Sequence, residues 1–311
     1  MSPKYIFIAA AGHSGSTLLD LLLGSHSKIE SLGEISYLPK NWALNEVCGC
    51  GNAIRSCAVW KKVVTRLGAD LALDIERHPY TLDLGYIDPR NVIDHQHQTK
   101  LYAFERELMH ALRYLQLRFG LGFLKPLVGK VERGIENNFR LYDHVLSVTG
   151  SRLVVDSSKT YLKAAGLYRI RPKQVRVIQL VRDGRGVYFS GLRRGCSRRD
   201  SLNAWKKHYA RALPIYKQVI APEHILSVRY EDVVSNTRST LMKIAEFAEV
   251  PFEESMLKLN AKVHHLVNGN QMKFGSAQIK SDRHWETQLT GADLRFFLRH
   301  AGPLNRRFGY M

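Results

Sequence analysis

Short apolar runs, each ending in small or charged residues, recur along the chain and set its expected frame. Tyr5 to Ala10, Lys28 to Leu32, Arg152 to Asp156, Val175 to Val181 and His224 to Tyr230 are five such runs. They have the length of buried strands rather than helices. Stretches of helical period separate them, which predicts an α/β fold: a parallel sheet of about five strands with helices on both faces. From Glu34 to about Gly150 the pattern turns mostly helical and polar, with breakers at His78-Pro79 and Asp88-Pro89. Within it, Thr99 to Phe119 places Leu101, Phe104, Leu108, Ala111, Leu112 and Leu115 at helical spacing. That spacing predicts a helix with this face on the core and its Arg- and His-rich face in solvent; a helix lying on a membrane surface is the alternative. Past Val250-Pro251 the chain reads as helices and loops over the sheet. No internal repeat or low-complexity linker is evident. The expected organisation is one domain over 1–311, with a mostly helical insertion at about 40–150.

The first run continues directly into GHSGSTLLDLLLG, from Gly12 to Gly24. Strand, small-residue turn and helix in that order make an anion cradle, because the first amides of a helix have no intrahelical partner and lie at the positive end of its dipole. Gly12 and Gly15 allow close approach of a ligand, and Ser14, Ser16 and Thr17 add hydroxyls. Gly24 suits the helix end. The turn is P-loop-like, but a Walker A sequence requires Lys where this chain has Ser16. Binding of a nucleotide phosphate therefore fits better than magnesium-dependent ATP hydrolysis.

Each later run also ends in candidate chemistry, so that these groups collect at one edge of a parallel sheet. The second delivers Glu34, the third Asp156-Ser157-Ser158-Lys159, and the fourth Arg182-Asp183-Gly184-Arg185. Ser190, eight residues beyond Arg182, falls on the inner face of the next helix. A planar guanidinium and a hydroxyl there can share one phosphate. Two anion pockets, the cradle and the Arg182/Ser190 pair, suit a nucleotide phosphorylated at both ends.

Charge agrees with an anionic ligand. The 311 residues carry a formal net charge of +18, on an ordinary globular composition of 45% hydrophobic and 24% charged residues. Such a field serves nucleic acid, an acidic membrane, a phosphorylated nucleotide or an acidic polymer equally well. Lys4 before an apolar run and Ala9-Ala10-Ala11 imitate a secretory leader, but cleavage there would destroy the cradle. No segment approaches 18 uninterrupted apolar residues, so a soluble, cytoplasmic protein is expected. Four cysteines, Cys48, Cys50, Cys57 and Cys196, are too few for a disulfide scaffold. The first three, with a histidine, could bind a metal, but C-x-C-x6-C is not a standard zinc spacing. A structural or redox-inert loop is the expectation, with no metal site.

These motifs together resemble the sulfotransferases that use 3′-phosphoadenosine 5′-phosphosulfate (PAPS). GHSGSTLL is similar to the family's 5′-phosphosulfate loop and LVRDGRGVYFS to its 3′-phosphate motif. DSSK at 156–159, VRYEDVV at 228–234, HLVNGNQMKF and DRHW near 282 resemble segments of the carbohydrate-type and bacterial branches. CGCG with CAVW and the ending RRFGY also recur in bacterial members. The resemblance covers nearly the whole chain, most weakly between about 60 and 150.

It implies a 5′-phosphosulfate cradle at Gly12, His13, Ser14, Gly15, Ser16 and Thr17, and a 3′-phosphate clamp at Arg182 and Ser190, with Lys273 as a further donor. It places Glu34, 21 residues beyond His13, on the general-base position of the tyrosylprotein branch. Lys159 falls near the lysine that stabilises the sulfuryl group. His13 departs from the family's usual Arg or Lys, and an imidazole is only partly charged at neutral pH. The implied reaction is in-line sulfuryl transfer from PAPS to an acceptor hydroxyl of a carbohydrate or small molecule, using Glu34, Lys159 and His13 and requiring no metal. Nucleic acid is not an expected partner; contact with a membrane surface stays open. The competing functions are a P-loop kinase or NTPase and a non-catalytic polyanion-binding protein.

Overall fold

Along the first strand, Ile6, Ile8 and Ala10 face one apolar layer while Tyr5, Phe7 and Ala9 face another. A strand buried on both sides belongs in the middle of a parallel sheet, and that is where the computed structural model of the protein puts it. The structure describes residues 2–85, 100–274 and 279–311, and the Asp88-Pro89 breaker lies outside them. Strands β1 (Tyr5–Ala10), β2 (Ile29–Ser31), β3 (Leu153–Lys159), β4 (Val175–Val181) and β5 (Ile225–Arg229) form one sheet in the order β2-β3-β1-β4-β5. All four pairings are parallel. The order reverses on either side of β1, so the loop leaving β1 opens at the switch point where α/β sheets bind ligands.

Helix α1 (Ser16–Gly24) follows β1. Between β2 and β3 lie α2 (Leu38–Ala43), α3 (Ala58–Leu71), α4 (Lys100–Phe119) and α5 (Lys125–Thr149). Helix α6 (Tyr161–Ile170) joins β3 to β4, and α7 (Gly184–Leu192) with α8 (Arg198–Val219) joins β4 to β5. Helices α9 (Tyr230–Ser235), α10 (Thr237–Phe247), α11 (Trp285–Gln288) and α12 (Gly291–Arg307) complete the fold. One face of the sheet packs on α3, α5 and α6 through Trp60, Val63, Phe139, Tyr142 and Leu162. The other packs on α1 and α10 through Leu19, Leu22, Leu241 and Ile244. A third cluster, around Tyr188, Trp205, Tyr209 and Phe297, locks α7, α8 and α12 together beside the end of β4.

Three local expectations change. The third strand runs past Asp156 to Lys159, so the DSSK residues are themselves strand. Gly24 ends α1, but as a packing requirement rather than a left-handed cap: a Cβ there would lie 2.4 Å from the Cβ of Ser31 on β2. Helix α4 forms where its spacing predicts, yet turns over. Phe104, Leu108 and Leu115 are exposed, at 65%, 42% and 38%, whereas Arg113 and Gln116 are fully buried. Arg113 pairs with Glu132 on α5 at 2.8 Å and bonds Gln116. A polar face whose groups are paired can be buried, and the apolar stripe is left outside.

Candidate active site

The loop from Ala11 to Gly15 closes onto α1 through two left-handed residues, His13 at φ 62° and Gly15 at φ 83°. Gly15 is obligatory on two counts, because a Cβ would also sit 2.3 Å from the ring of Tyr230. Tyr209 anchors the loop's root: its hydroxyl accepts from the Ala11 amide and donates to the Leu180 carbonyl at 2.7 Å. The first helical bond runs from the Leu19 amide to the Gly15 carbonyl. Among the described residues no side chain caps α1 and no acid occupies its first turn, so its leading amides remain available to an anion. Ser16 and Thr17 line the cleft above them. Ser14 does not: it is fully buried beside Tyr209, because a turn this tight folds one side chain inward.

Opposite this loop a cleft of about 780 Å³ opens at the C-terminal edge of the sheet, within the size range of small-molecule sites. It gathers eight of the residues singled out from sequence: His13, Gly15, Ser16, Thr17, Glu34, Lys159, Arg182 and Ser190. Five lysines and arginines line it (Lys159, Arg182, Arg193, Arg194 and Lys280) against two carboxylates, Glu34 and Asp282. That balance favours a multiply charged anion.

Glu34 and Lys159 meet directly, the Lys159 ammonium donating to Glu34 Oε1. Each is set by its backbone. Pairing of β3 with β1 shifts register between Phe7 and Ala9, and Lys159, opposite Ala9, takes a left-handed φ of 71°. Such an irregularity at a strand end re-aims the side chain. Glu34 is fixed from the far end of the chain: its amide donates to the Val267 carbonyl at 2.9 Å, and Val267 donates back to Leu32 at 2.8 Å.

Arg182 is nearly buried. It donates to the carbonyls of His13 at 3.0 Å and Asp282 at 2.9 Å, pairs with the Asp282 carboxylate at 3.0 Å, and lies over the Tyr230 ring. Burial works against the Asp282 charge, but the hydrogen bond and charge of Arg182 prevail and hold that carboxyl below its ordinary value. Ser190, on the inner face of α7, bonds the Gly186 carbonyl one turn back. His13 meets the guanidinium of Arg194 at 2.7 Å through Nε2. Burial, then the charges of Arg194, Lys159 and Arg182, push the His13 pKa down. Its imidazole therefore favours the neutral form, accepting from Arg194, an arginine that the turn after α7 supplies from 181 residues away.

Two expected members stand apart. Gly12 is exposed beside the cleft rather than lining it. Lys273 does not line the cleft and donates to the Val47 carbonyl at 3.0 Å. Sequence reasoning also missed Arg194, Tyr230 and Lys280. The run LRRGCSRR holds Arg194 and VRYEDVV holds Tyr230, but neither spacing tells which side chain turns inward.

The comparisons agree with this architecture. The model for the "Sulfotransferase family" matches residues 132–254. By structure the chain is similar to the sulfotransferase domain from the Synechococcus PCC 7002 olefin synthase, at 19% identity and a TM-score of 0.53, covering 100% of this chain and 96% of that one. It is also similar to the sulfotransferase domain from the curacin biosynthetic pathway, at 20% identity and a TM-score of 0.52, with 99% and 98% covered. At these identities the likeness is one of fold. No curated protein sequence matches the chain.

Proposed function

We propose that this chain, whose residues 132–254 match the sulfotransferase family model, moves a sulfuryl group from PAPS to an acceptor hydroxyl. One observation carries the reading: the anion cradle at the head of α1 and the Arg182/Ser190 pair open into the same cationic cleft. In this assignment the α1 amides with Ser16 and Thr17 hold the 5′-phosphosulfate, and Arg182 with Ser190 holds the 3′-phosphate, Arg182 exchanging Asp282 for the ligand.

Glu34 takes the acceptor proton as the acceptor oxygen bonds to sulfur. The bond from sulfur to the bridging phosphate oxygen breaks, and adenosine 3′,5′-bisphosphate leaves. Lys159 turns from Glu34 to the sulfuryl oxygens and the bridging oxygen, which frees the carboxylate as it stabilises the developing charge. Arg194, carried on the neutral His13, adds charge beside the cradle. The mostly helical region at about 40–150 is read as an insertion into a single domain. The acceptor is read as a carbohydrate or small-molecule hydroxyl, entering past the 269–272 wall. No helix among the described residues is long and apolar enough to cross a membrane; we place the protein in the cytoplasm, where its four thiols stay reduced.

Calorimetry with adenosine 3′,5′-bisphosphate and with ATP tests the donor. The bisphosphate should bind more tightly, and Arg182→Ala should weaken it by about 1.5–3 kcal/mol, the value of a charged hydrogen bond. Equal affinity for ATP, or an unaffected Arg182→Ala, would remove the 3′-phosphate assignment and favour the kinase reading.

A further inference from the structure

Away from the cleft, three of the four cysteines converge on one histidine. Cys48 lies 3.9 Å from Cys57, sulfur to sulfur, and Cys57 lies 3.2 Å from His265 Nδ1. With Cys50, the four ligand atoms all fall within 4.8 Å of one another. Around a tetrahedral zinc with Zn–S near 2.3 Å and Zn–N near 2.0 Å, neighbouring ligand atoms are separated by roughly 3.5–3.8 Å. The cluster already has nearly that geometry. Buried thiols alone need no explanation, since cysteine packs as a small hydrophobe. An imidazole nitrogen directed into three sulfurs does, because apolar packing gives it no role there.

The backbone is shaped to hold these groups together. Val47 and Ala53 pair as an antiparallel bridge, the Cys48 amide donates to Asn52, and the Gly51 amide donates back to Cys48 through a left-handed turn at φ 86°. Cys57 sits at the N-terminus of α3, where the helix dipole favours a thiolate. Trp60 fixes the His265 carbonyl at 2.7 Å. Gly49 lets the hairpin approach the histidine segment: its amide bonds Leu266 at 3.1 Å, and a Cβ would lie 2.9 Å from both the His264 oxygen and the Leu266 nitrogen.

We propose that Cys48, Cys50, Cys57 and His265 form a closed, four-coordinate structural zinc site that clamps the 264–267 segment to the 47–57 hairpin. Soft thiolates with one imidazole select zinc over the hard cations, and four protein ligands leave no open position for catalysis. C-x-C-x6-C is an incomplete ligand set in sequence because the fourth ligand arrives 208 residues after Cys57. The clamp explains Lys273, whose ammonium bonds Val47 at the foot of the hairpin rather than a nucleotide. It also bears on the cleft, since Val267, two residues beyond the histidine ligand, holds the Glu34 backbone.

Metal analysis of the untagged full-length protein, purified under reducing conditions, tests the site independently of any sulfuryl donor. About one zinc per chain is expected, and cobalt substitution should give thiolate charge-transfer bands. His265→Ala should lose the metal, while His265→Cys, which makes a Cys₄ set, should keep it. Stripping the wild-type protein with a chelator should lower its melting temperature by about 5 °C or more, with recovery on adding zinc. A reduced protein that carries no zinc and develops no cobalt bands overturns the proposal. So does full zinc content in His265→Ala, a Cys48–Cys57 disulfide in the native protein, or removal of zinc with no change in melting.

Discussion

Glu34 and Lys159 hold each other in the free protein, and in the proposed mechanism the base is released when Lys159 turns to the sulfuryl group. Glu34→Gln keeps the shape but cannot accept a proton. Turnover with PAPS should fall by about 10²–10⁴-fold, while bisphosphate affinity changes by less than about threefold. A variant that loses nucleotide binding or melting temperature in proportion to activity would make Glu34 a structural partner of Lys159. Both residues were legible in sequence because each lies at or just past the C-terminal end of a strand, and strand ends converge. Their contact was not, because it depends on the register shift that turns Lys159 left-handed. His13 shows another limit. Its departure from a cationic residue is plain in the sequence, but its lowered pKa comes from burial and then from the charge of Arg194, neither of which the sequence displays.

Helix α4 is an element whose position was readable and whose orientation was not. Hydrophobic spacing assigns the core face by counting side chains; here the buried face is held by the Arg113–Glu132 pair. The two orientations predict opposite mutational effects. Arg113→Ala leaves Glu132 without its guanidinium and should cost about 3 kcal/mol, whereas Leu108→Ser on the exposed face should stay within about 0.5 kcal/mol. Urea denaturation of the two variants checks this, and the reverse order would restore the spacing-based orientation. The strands were read more accurately, with β1 and β4 matching their apolar runs end to end. Buried parallel strands advertise themselves by uninterrupted apolar runs, while a helix with paired polar groups inside carries no such mark.

Across the whole molecule, the two strands that lead to Glu34 and Lys159 are tied behind the cleft by Asp20 of α1. Its carboxylate accepts from Ser157 on β3 at 2.6 Å and from Ser31 on β2. Burial pushes the Asp20 carboxyl up to about 7, despite those serine hydroxyls. With its folded pKa above the unfolded value, Asp20 keeps a proton that the unfolded chain gives up. Its stabilising share is complete below pH 3.8 and is lost as the pH rises towards and through 7. Asp20→Asn removes that loss, so its stability relative to the parent should rise between pH 4 and pH 8 by up to about 4 kcal/mol. Denaturation midpoints at the two pH values measure it, and a constant difference would refute the raised carboxyl. The parallel bridge from Gly33 to Val267 has a further consequence, one of time. Some 230 residues separate Glu34 from the carbonyl that fixes its backbone. At about 5–20 residues per second, a ribosome takes roughly ten to fifty seconds to cover that interval. The cradle and the Arg182 loop are both synthesised before it ends. Each growing chain therefore passes through a period in which its proposed anion-binding loops exist and the backbone of its proposed base has not yet been given a place.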